Sequence, residues 1–432
     1  MTYGHPTRNV STIAPAVLAL LVCAARLESQ SLSHQKVLSS PPPSSPSHPN
    51  LTIKMQASTA AARSALDGAA ELAPFFERLH HAPDEPVHVL HFGDSHTAGD
   101  EWTAALRNLF QRRFGIGGPG FALAGQPFAG YRRMDAAGSG SSGWTKAGFA
   151  AAAGDGYFGL GGISLAAERA GQTLSLAAHC DTVEVQYLQQ RHGGKIALYD
   201  SSQLLDEFST DGELQPEFRT FNVAPGAHQF RLATTGNGPV RIFGWTADMR
   251  QGISYESLGL NGARASVILR WNEEMLETYL RRRDPGLIVL AYGTNDAGDG
   301  QSADHYEETF AKVLSRLRRM APEAAILVIG PPDATLRSFG QARSSTEIGK
   351  VVTAQKNAAR RNGCAFWDMR EHMGGVGSMP RWASSGLVQS DHLHFTPAGY
   401  RALAEGMFTD LMRHYATYER VRSQVIVEPT RD

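Results

Sequence analysis

The sequence predicts an α/β protein in which a parallel sheet, covered by helices on both faces, is interrupted by an inserted β-sandwich. Three observations indicate this architecture. A buried strand, a tight turn and an amphipathic helix follow one another in residues 86–114. From residue 250 onward, apolar strands alternate with helices, which is typical of a parallel sheet. Between these regions, short segments with a period of two and regular turns predict an all-β insert.

The N-terminal region predicts an export signal followed by a linker. In residues 1–27, a single Arg8 precedes an apolar run that is too short to span a membrane comfortably, as in a secretory signal peptide. Residues 28–56 are rich in Ser and Pro and predict an extended linker, because they cannot bury enough apolar surface to fold. We expect a secreted or periplasmic protein with no integral membrane span in the mature chain. Met55 is an alternative start that would remove the signal.

Two segments, 57–120 and 250–420, predict the α/β domain. The alanine-rich stretch 57–80 predicts a helix that packs on the core. Residues 421–432 predict a flexible tail. The later elements are predicted as helices over 266–282, 306–320 and 346–362, strands over 285–292, 325–330 and 364–368, and a final helix that begins at Thr396-Pro397 and ends near Tyr415.

Residues 121–249 predict the inserted β-sandwich domain. Glycine is dense in residues 115–160, which predicts turns and long loops. Alternating apolar and polar residues at 182–188 predict a strand. The alternating segments on either side of Pro225-Gly226 predict a β-hairpin with its turn at that dipeptide.

Charge and cysteine content narrow the functional classes. The chain has 41 basic and 42 acidic residues, so it offers no global electrostatic case for a nucleic-acid partner. The three cysteines lack the spacing of a zinc site. Two buried thiols at Cys180 and Cys364 are favoured over a disulfide between them. The histidines also lack ligand spacing, so we expect neither a metal nor another cofactor.

Ser95 is the candidate nucleophile because it follows the first apolar strand in the turn Gly93-Asp94-Ser95. Open α/β sheets carry their chemistry at the carboxyl ends of strands. A serine hydroxyl is a weak nucleophile at neutral pH and needs an adjacent base. His394 can serve as that base, and Asp391, three residues earlier, can orient the imidazole.

The attack of a serine on an ester produces an oxyanion, which needs hydrogen-bond donors that are already in position. The backbone N–H groups of Ser95 and Gly262 and the side-chain amide of Asn295 are the candidates. Each of these residues lies at the end of a predicted strand or the start of a helix. The sequence therefore predicts an oxyanion hole at the same edge of the sheet as the nucleophile.

Several neighbouring residues compete for these roles. His392 is a rival base, but the Asp-x-x-His spacing favours the later histidine. Asp368 is a rival acid that has no histidine nearby in sequence. Asp94 is expected to brace loops rather than to act as an acid. For His96 and Trp382, substrate contact and packing both stay open.

Four short blocks, taken together, resemble the SGNH (GDSL-type) hydrolases. The resemblance implies a flavodoxin-like α/β fold of three layers. It also implies a catalytic triad of Ser95, His394 and Asp391, and an oxyanion hole of Ser95, Gly262 and Asn295. In chain order the blocks are Gly93-Asp94-Ser95, Gly262, Asn295 and Asp391-x-x-His394.

With an insert between the first two blocks, the chain also resembles bacterial O-acetylpeptidoglycan esterases. Their insert is a jelly roll similar to carbohydrate-binding modules, and the resemblance implies the same here. The motifs that carry this resemblance are Gly93-Asp94-Ser95-His96-Thr97, Gly259-Leu-Asn-Gly262-Ala263 and His394-Phe395-Thr396-x-x-Gly399-Tyr400.

We therefore expect a serine esterase that removes O-acetyl or other small acyl groups from an acetylated polysaccharide, with bacterial peptidoglycan as one candidate. The reaction would pass through an acyl-enzyme. Two alternatives stay open: a polysaccharide O-acetyltransferase, in which a sugar hydroxyl intercepts the acyl-enzyme, and a carbohydrate-binding protein with an inactive esterase core. A lipase or an arylesterase is also compatible with the sequence.

Overall fold

The computed structural model describes residues 64–148, 154–236, 238–333 and 345–427. The predicted signal peptide and linker lie outside the described residues. In this part of the chain no helix is long and apolar enough to cross a membrane.

The described elements are numbered in chain order. The strands are β1 (Leu66–Asp67), β2 (Pro86–Gly93), β3 (Gly120–Ala122), β4 (Ala137–Gly140), β5 (Thr145–Gly148), β6 (Ile163–Ala167), β7 (Thr173–Gln189), β8 (Lys195–Asp200), β9 (Gln203–Ser209), β10 (Gln215–Thr234), β11 (Val240–Asp248), β12 (Gly252–Gly259), β13 (Leu287–Ala291), β14 (Ala325–Ile329) and β15 (Ala365–Trp367). The helices are α1 (Ala73–His81), α2 (Ser95–Ala98), α3 (Glu101–Phe114), α4 (Glu273–Arg283), α5 (Ala303–Met320), α6 (Ser345–Arg361), α7 (Met369–His372), α8 (Met379–Ser384) and α9 (Pro397–Val427). Short 3-10 helices cover Ala69–Leu72, Ala265–Arg270 and Asp296–Gly298.

The first sheet has six strands in the spatial order β1-β15-β14-β13-β2-β12. Five of them are parallel, and β1 pairs antiparallel at the edge. Leu90 and Ile288 pack with α4, α5 and α6 on one face, whereas Val89 and Leu287 pack with α1, α3 and α9 on the other. The predicted α/β domain with helices on both faces is therefore confirmed.

The strand order also indicates where a site should lie. Across the sheet, the five parallel strands lie in the order β12, β2, β13, β14, β15. When these strands are numbered by their order in the chain, this is the order 2-1-3-4-5 of the flavodoxin-like arrangement. The direction of winding reverses between β2 and β13. Ligands of such sheets bind outside the carboxyl ends of the strands at this reversal. Ser95 directly follows β2, and Asn295 follows β13 by a few residues.

The second sheet is antiparallel and has nine strands, all of which lie between Gly120 and Asp248. Its central pair, β7 and β10, is 17 and 20 residues long and pairs along almost its whole length. A separate apolar cluster that includes Cys180 and Trp245 packs against this sheet. An additional antiparallel sheet is thus confirmed, while the jelly-roll arrangement of its strands stays a prediction.

The hairpin predicted at Pro225-Gly226 is wrong. Residues 215–234 form one strand, and the dipeptide lies at a bulge where the register with β7 shifts between Asn222 and Gly226. At this point β10 pairs with β7 alone, because β8 pairs only with its residues 230–234. Proline lacks an N–H, but this causes no loss at a bulge or an unpaired edge. A turn dipeptide between two alternating segments therefore kinks a strand here instead of ending it.

The helix predicted over residues 57–80 packs on the core but is shorter than predicted, since α1 covers only Ala73–His81. Leu66–Asp67 is a strand, a 3-10 helix follows, and the α-helix begins only at Ala73. Gly68 has a φ of 68°, a left-handed conformation that no helix interior contains. Pro74 then occupies the first turn of α1, where its missing N–H does no harm. Residues 57–63 lie outside the described residues.

The C-terminal helix is longer than predicted. It begins at Pro397 as expected, but it continues through Val427 rather than ending near Tyr415. Residues 421–427 of the predicted flexible tail are therefore helical, and the remaining five residues lie outside the described residues.

A buried ion-pair cluster joins the two sheets. Arg283, the last residue of α4, donates to both oxygens of Asp248 on β11 at 2.6 and 2.7 Å, and to Glu256 on β12 at 2.7 Å. Burial alone would raise the pKa of Asp248, but the charge and hydrogen bonds of Arg283 lower it. The cluster fixes the inserted sheet against the α/β sheet, since each of its three members belongs to a different element.

Both described cysteines are buried free thiols, as predicted. Burial raises the pKa of Cys180 to about 12 and that of Cys364 to about 11. Neither thiol is therefore activated as a nucleophile.

Candidate active site

Ser95 is the first residue of the short helix α2, immediately after β2. Asp94 caps this helix by accepting the N–H of His96 at 2.9 Å. Gly93 makes the turn possible, because an added Cβ would collide with Thr97 and lie 3.0 Å from the carbonyl oxygen of Ala291. The turn thus places the serine hydroxyl at the carboxyl edge of the sheet.

His394 lies between Ser95 and Asp391. Its Nε2 is 2.9 Å from Ser95 Oγ, and its Nδ1 is 2.6 Å from Asp391 Oδ2. The other carboxylate oxygen of Asp391 accepts the N–H groups of Leu393 and His394, both at 2.9 Å. The three predicted catalytic side chains therefore form one hydrogen-bonded line, in which the imidazole can take a proton from the serine.

The hydrogen bonds around Asp391 keep its carboxylate charged. Burial alone would raise the pKa of Asp391, but the hydrogen bonds from His394 and from two backbone N–H groups outweigh it and lower the pKa. An ionised carboxylate at this position favours the tautomer of His394 that has its proton on Nδ1 and leaves Nε2 free to accept.

The loop that carries His394 is braced by its own backbone. Gln389 N–H donates to the His394 carbonyl at 2.7 Å, and Thr396 N–H donates to the Leu387 carbonyl at 3.0 Å. The Thr396 hydroxyl then caps α9 by accepting the N–H of Gly399 at 3.2 Å. The base therefore lies on a short loop that is held at both ends.

The segments that carry the three predicted oxyanion donors are tied together. Leu260 N–H donates to the Gly93 carbonyl at 2.9 Å, which fixes the Gly262 segment beside the nucleophile strand. Asn295 Nδ2 donates to the Ala263 carbonyl at 3.0 Å and approaches Asp94 Oδ2 at 3.4 Å. Three distant parts of the chain thus meet around Ser95.

Gly262 is the third residue of a tight turn that is closed by a 3.1 Å hydrogen bond from Ala263 N–H to the Leu260 carbonyl. Its φ of 72° lies in the left-handed region, which glycine adopts without strain. An added Cβ would meet open space, so the conformation, and not crowding, is what requires glycine here.

A salt bridge connects the Gly262 and Asn295 segments. Arg264 donates through both Nε and Nη2 to the two carboxylate oxygens of Asp299. Such bidentate pairs fix the relative orientation of the groups they join. Sequence reasoning missed this pair, although Arg264 directly follows Gly262-Ala263 and Asp299 lies four residues after Asn295.

The comparisons with known proteins agree with this geometry. The model of the GDSL-like lipase/acylhydrolase family matches residues 229–402, a stretch that contains Gly262, Asn295, Asp391 and His394 but not Ser95. Among solved structures, a peptidoglycan O-acetylesterase is similar over 83% of this chain and 100% of its own, at 26% identity and a TM-score of 0.69. The chain is therefore similar to the SGNH (GDSL-type) hydrolases, and it is a carboxylic ester hydrolase of this type.

Other solved structures are more distant from this SGNH hydrolase. A lipase/acylhydrolase from Enterococcus faecalis has 18% identity over 39% of this chain and 78% of its own, with a TM-score of 0.30. A family two carbohydrate esterase from Cellvibrio japonicus has 12% identity over 65% of this chain and 98% of its own, with a TM-score of 0.29. No curated protein matches the chain significantly.

The aromatic residues around the site of this SGNH hydrolase pack behind the triad. His96 is buried, and its Nδ1 lies 3.0 Å from the hydroxyl of Tyr400. Trp382 donates through Nε1 to the Met373 carbonyl at 3.0 Å, and its ring lies edge-on to Phe395. For both His96 and Trp382, the structure therefore favours packing over substrate contact.

The rival residues lie elsewhere in this SGNH hydrolase. His392 is exposed and has a φ of 52°. Asp368 caps α7 by accepting the N–H of Glu371 at 2.9 Å. Among the described residues, no group of three or more His, Cys, Asp or Glu side chains could hold a metal ion.

One segment of the insert reaches the active site of the SGNH hydrolase. Asn261, beside the predicted donor Gly262, donates to the Ala129 carbonyl at 3.1 Å. Met134 N–H donates at 2.8 Å to Asp100, which lies just before α3. Residues 129–134 therefore contact both the Gly262 segment and the residue that precedes α3. No sequence motif predicts this contact, because it depends on how the two sheets pack.

Proposed function

We propose that this SGNH hydrolase is a secreted or periplasmic serine esterase that releases O-acetyl or other small acyl groups from an acetylated polysaccharide, with peptidoglycan as the leading candidate. The observation that carries the proposal is the hydrogen-bonded line from Ser95 through His394 to Asp391. The similarity to a peptidoglycan O-acetylesterase over 83% of the chain supports the choice of polymer.

In the proposed mechanism, Ser95 Oγ attacks the ester carbonyl while His394 Nε2 takes the hydroxyl proton. Asp391 stabilises the imidazolium that forms. The oxyanion accepts hydrogen bonds from the backbone of Ser95 and Gly262 and from the amide of Asn295. The imidazolium then protonates the departing sugar oxygen, and water, activated by the same histidine, hydrolyses the acyl-enzyme.

We further propose that the inserted domain is a jelly roll that helps to hold the polymer. Two features support this role. Residues 129–134 of the insert contact the loops of the active site. The similarity to the peptidoglycan O-acetylesterase extends over 100% of that protein and 83% of this chain. The α/β domain makes up a smaller share of this chain, so the similarity includes part of the insert.

The direct test is the Ser95→Ala variant, assayed with p-nitrophenyl acetate and with O-acetylated peptidoglycan. We expect kcat to fall at least about 10³-fold on both substrates, because the acyl-enzyme cannot form. Ser315→Ala is the matched control, since Ser315 bonds Asn362 on the helical face away from the site. Activity of Ser95→Ala close to that of wild type would rule out the nucleophile. Acetyl transfer to added glycan without acetate release would indicate a transferase instead.

A further inference from the structure

A small cavity lies beside the predicted oxyanion loop. It has a volume of about 160 Å³ and adjoins the backbone of Leu260–Ala263. The charged side chains that line it are both arginines, Arg264 and Arg270, and a hydroxyl is supplied by Ser266. No acidic residue is among its described lining residues. The cavity therefore has two cationic and no acidic side chains among its described lining residues, and Gly262 is part of its wall.

Arg264 is held in position with donors to spare. Its Nε and Nη2 bind Asp299, which does not line the cavity. A guanidinium has five N–H donors, and the bidentate pair leaves those of Nη1. The contact of Nη1 with the Gly262 carbonyl, at 3.5 Å, is long for a hydrogen bond. An anion in the cavity would thus meet a guanidinium whose orientation is already fixed.

Arg270 is the second cationic residue that lines the cavity. It is the last residue of the 3-10 helix Ala265–Arg270, and it is exposed. Arg264 and Arg270 both line the recess, and a 3.0 Å hydrogen bond from Val267 N–H to the Arg264 carbonyl closes the turn that begins at Arg264. Two guanidinium groups and a hydroxyl match the acceptor oxygens of a carboxylate.

We propose that this cavity is a subsite for a carboxylate carried by the acylated polysaccharide. In this proposal the bound carboxylate and the ester at Ser95 belong to the same polymer, because the cavity adjoins the predicted oxyanion donor Gly262. The subsite would select acidic polymers over neutral ones and would position the ester by binding next to it. This inference rests on the proposed function and names the chemical class of its substrate.

The test compares acetate release from three acetylated polymers: peptidoglycan and a polyuronate, which carry carboxylates, and a neutral glucomannan. Arg270 is the informative position, since a change at Arg264 would also break the salt bridge to Asp299 that joins the two loops. The measured ratio is kcat/KM for the acidic polymers divided by kcat/KM for glucomannan. We expect Arg270→Ala to lower this ratio at least about tenfold. Arg270→Lys should retain part of the ratio, and Arg270→Glu should lower it most. A loss confined to peptidoglycan or to the polyuronate identifies which carboxylate binds.

Arg281→Ala is the matched control, because Arg281 is an exposed arginine on α4 with 73% of its side chain accessible. The inference is overturned if Arg270→Ala changes kcat/KM by the same factor for acidic and neutral polymers, or if Arg281→Ala shifts the ratio equally. If wild type releases no acetate from any polymer, the proposed function fails, and the inference fails with it. If wild type is active and the ratio is unchanged in the Arg270 variants, the subsite is rejected and the proposed function stands.

Discussion

At the scale of the residue, the candidate site depends on how each side chain is pre-oriented. Asp391 makes one hydrogen bond to the imidazole and accepts two backbone N–H groups, so its charge and its direction are both fixed. Asn295 has a similar double role. Its amide nitrogen donates to the Ala263 carbonyl at 3.0 Å and lies 3.4 Å from Asp94 Oδ2, so the predicted oxyanion donor is tied to both neighbouring loops.

We predict that Asn295→Ala lowers kcat about 10²–10³-fold while KM changes much less, because a donor to the oxyanion acts mainly in the transition state. Steady-state kinetics with p-nitrophenyl acetate measures both parameters. Asn357→Ala is the control, since Asn357 donates its amide to Glu307 at 3.0 Å on the helical face of the domain. A rise in KM with kcat intact would assign Asn295 to substrate binding instead.

At the scale of the element, the active site is an assembly of loops that follow parallel strands. The Gly262 and Asn295 loops are joined by the amide of Asn295 and by the salt bridge between Arg264 and Asp299. Catalysis is sensitive to small displacements of such donors, because a shift of about 1 Å can cost about 10² in rate. We therefore expect the salt bridge to position the predicted oxyanion donors without contacting the reacting atoms.

We predict that Asp299→Asn lowers kcat about tenfold, with little change in KM, because the two loops lose their bidentate connection. The affinity of a boronic acid that mimics the tetrahedral intermediate should fall by a similar factor. Asp284→Asn is the control, since Asp284 forms a comparable bidentate pair with Arg78, at 2.8 and 2.9 Å, on the opposite side of the sheet. If both variants lowered kcat by the same factor, Asp299 would contribute only to general stability.

Element boundaries show what local sequence can and cannot predict. The strand at 325–329 and the helix at 303–320 agree closely with the prediction. Their apolar residues recur with the period of a strand or a helix, because these residues are buried between the sheet and its helices. Pro225-Gly226 misled the prediction, because the same dipeptide can end a strand or kink it. The choice depends on the partner strand: β7 continues past that point and supplies the hydrogen bonds.

At the scale of the whole molecule, burial of charged and titratable groups couples stability to pH. His91 on β2 has no exposed surface, and its Nδ1 lies 2.9 Å from the hydroxyl of Tyr255. Its Nε2 has no hydrogen-bond partner among the described residues. Burial, only partly offset by the charge of Asp100, lowers the pKa of His91 to about 3. A proton on this ring would therefore be a nearly uncompensated buried charge.

We predict that the free energy of unfolding falls as the pH drops below about 6.5, the ordinary value for histidine. Between that pH and about 3 the unfolded chain binds a proton at His91 that the folded chain does not, so this residue alone contributes a loss of about 1.4 kcal/mol per pH unit. His91→Gln removes this contribution and keeps a partner for Tyr255. Urea unfolding of both proteins between pH 7 and 4 measures the two slopes. Parallel slopes would contradict the prediction.

The sequence by itself predicted the candidate catalytic residues of this protein. Ser95, Gly262, Asn295, Asp391 and His394 could be named, because each follows a strand or precedes a helix, and strand ends of a parallel sheet meet at one edge. Only the tertiary structure revealed the salt bridge between Arg264 and Asp299, the contact of residues 129–134 with the active-site loops, and the cavity beside Gly262. These features bring together residues that are far apart in the sequence, or side chains that belong to no recognisable local sequence pattern. They arise from the packing of two sheets, which periodicity along the chain does not encode.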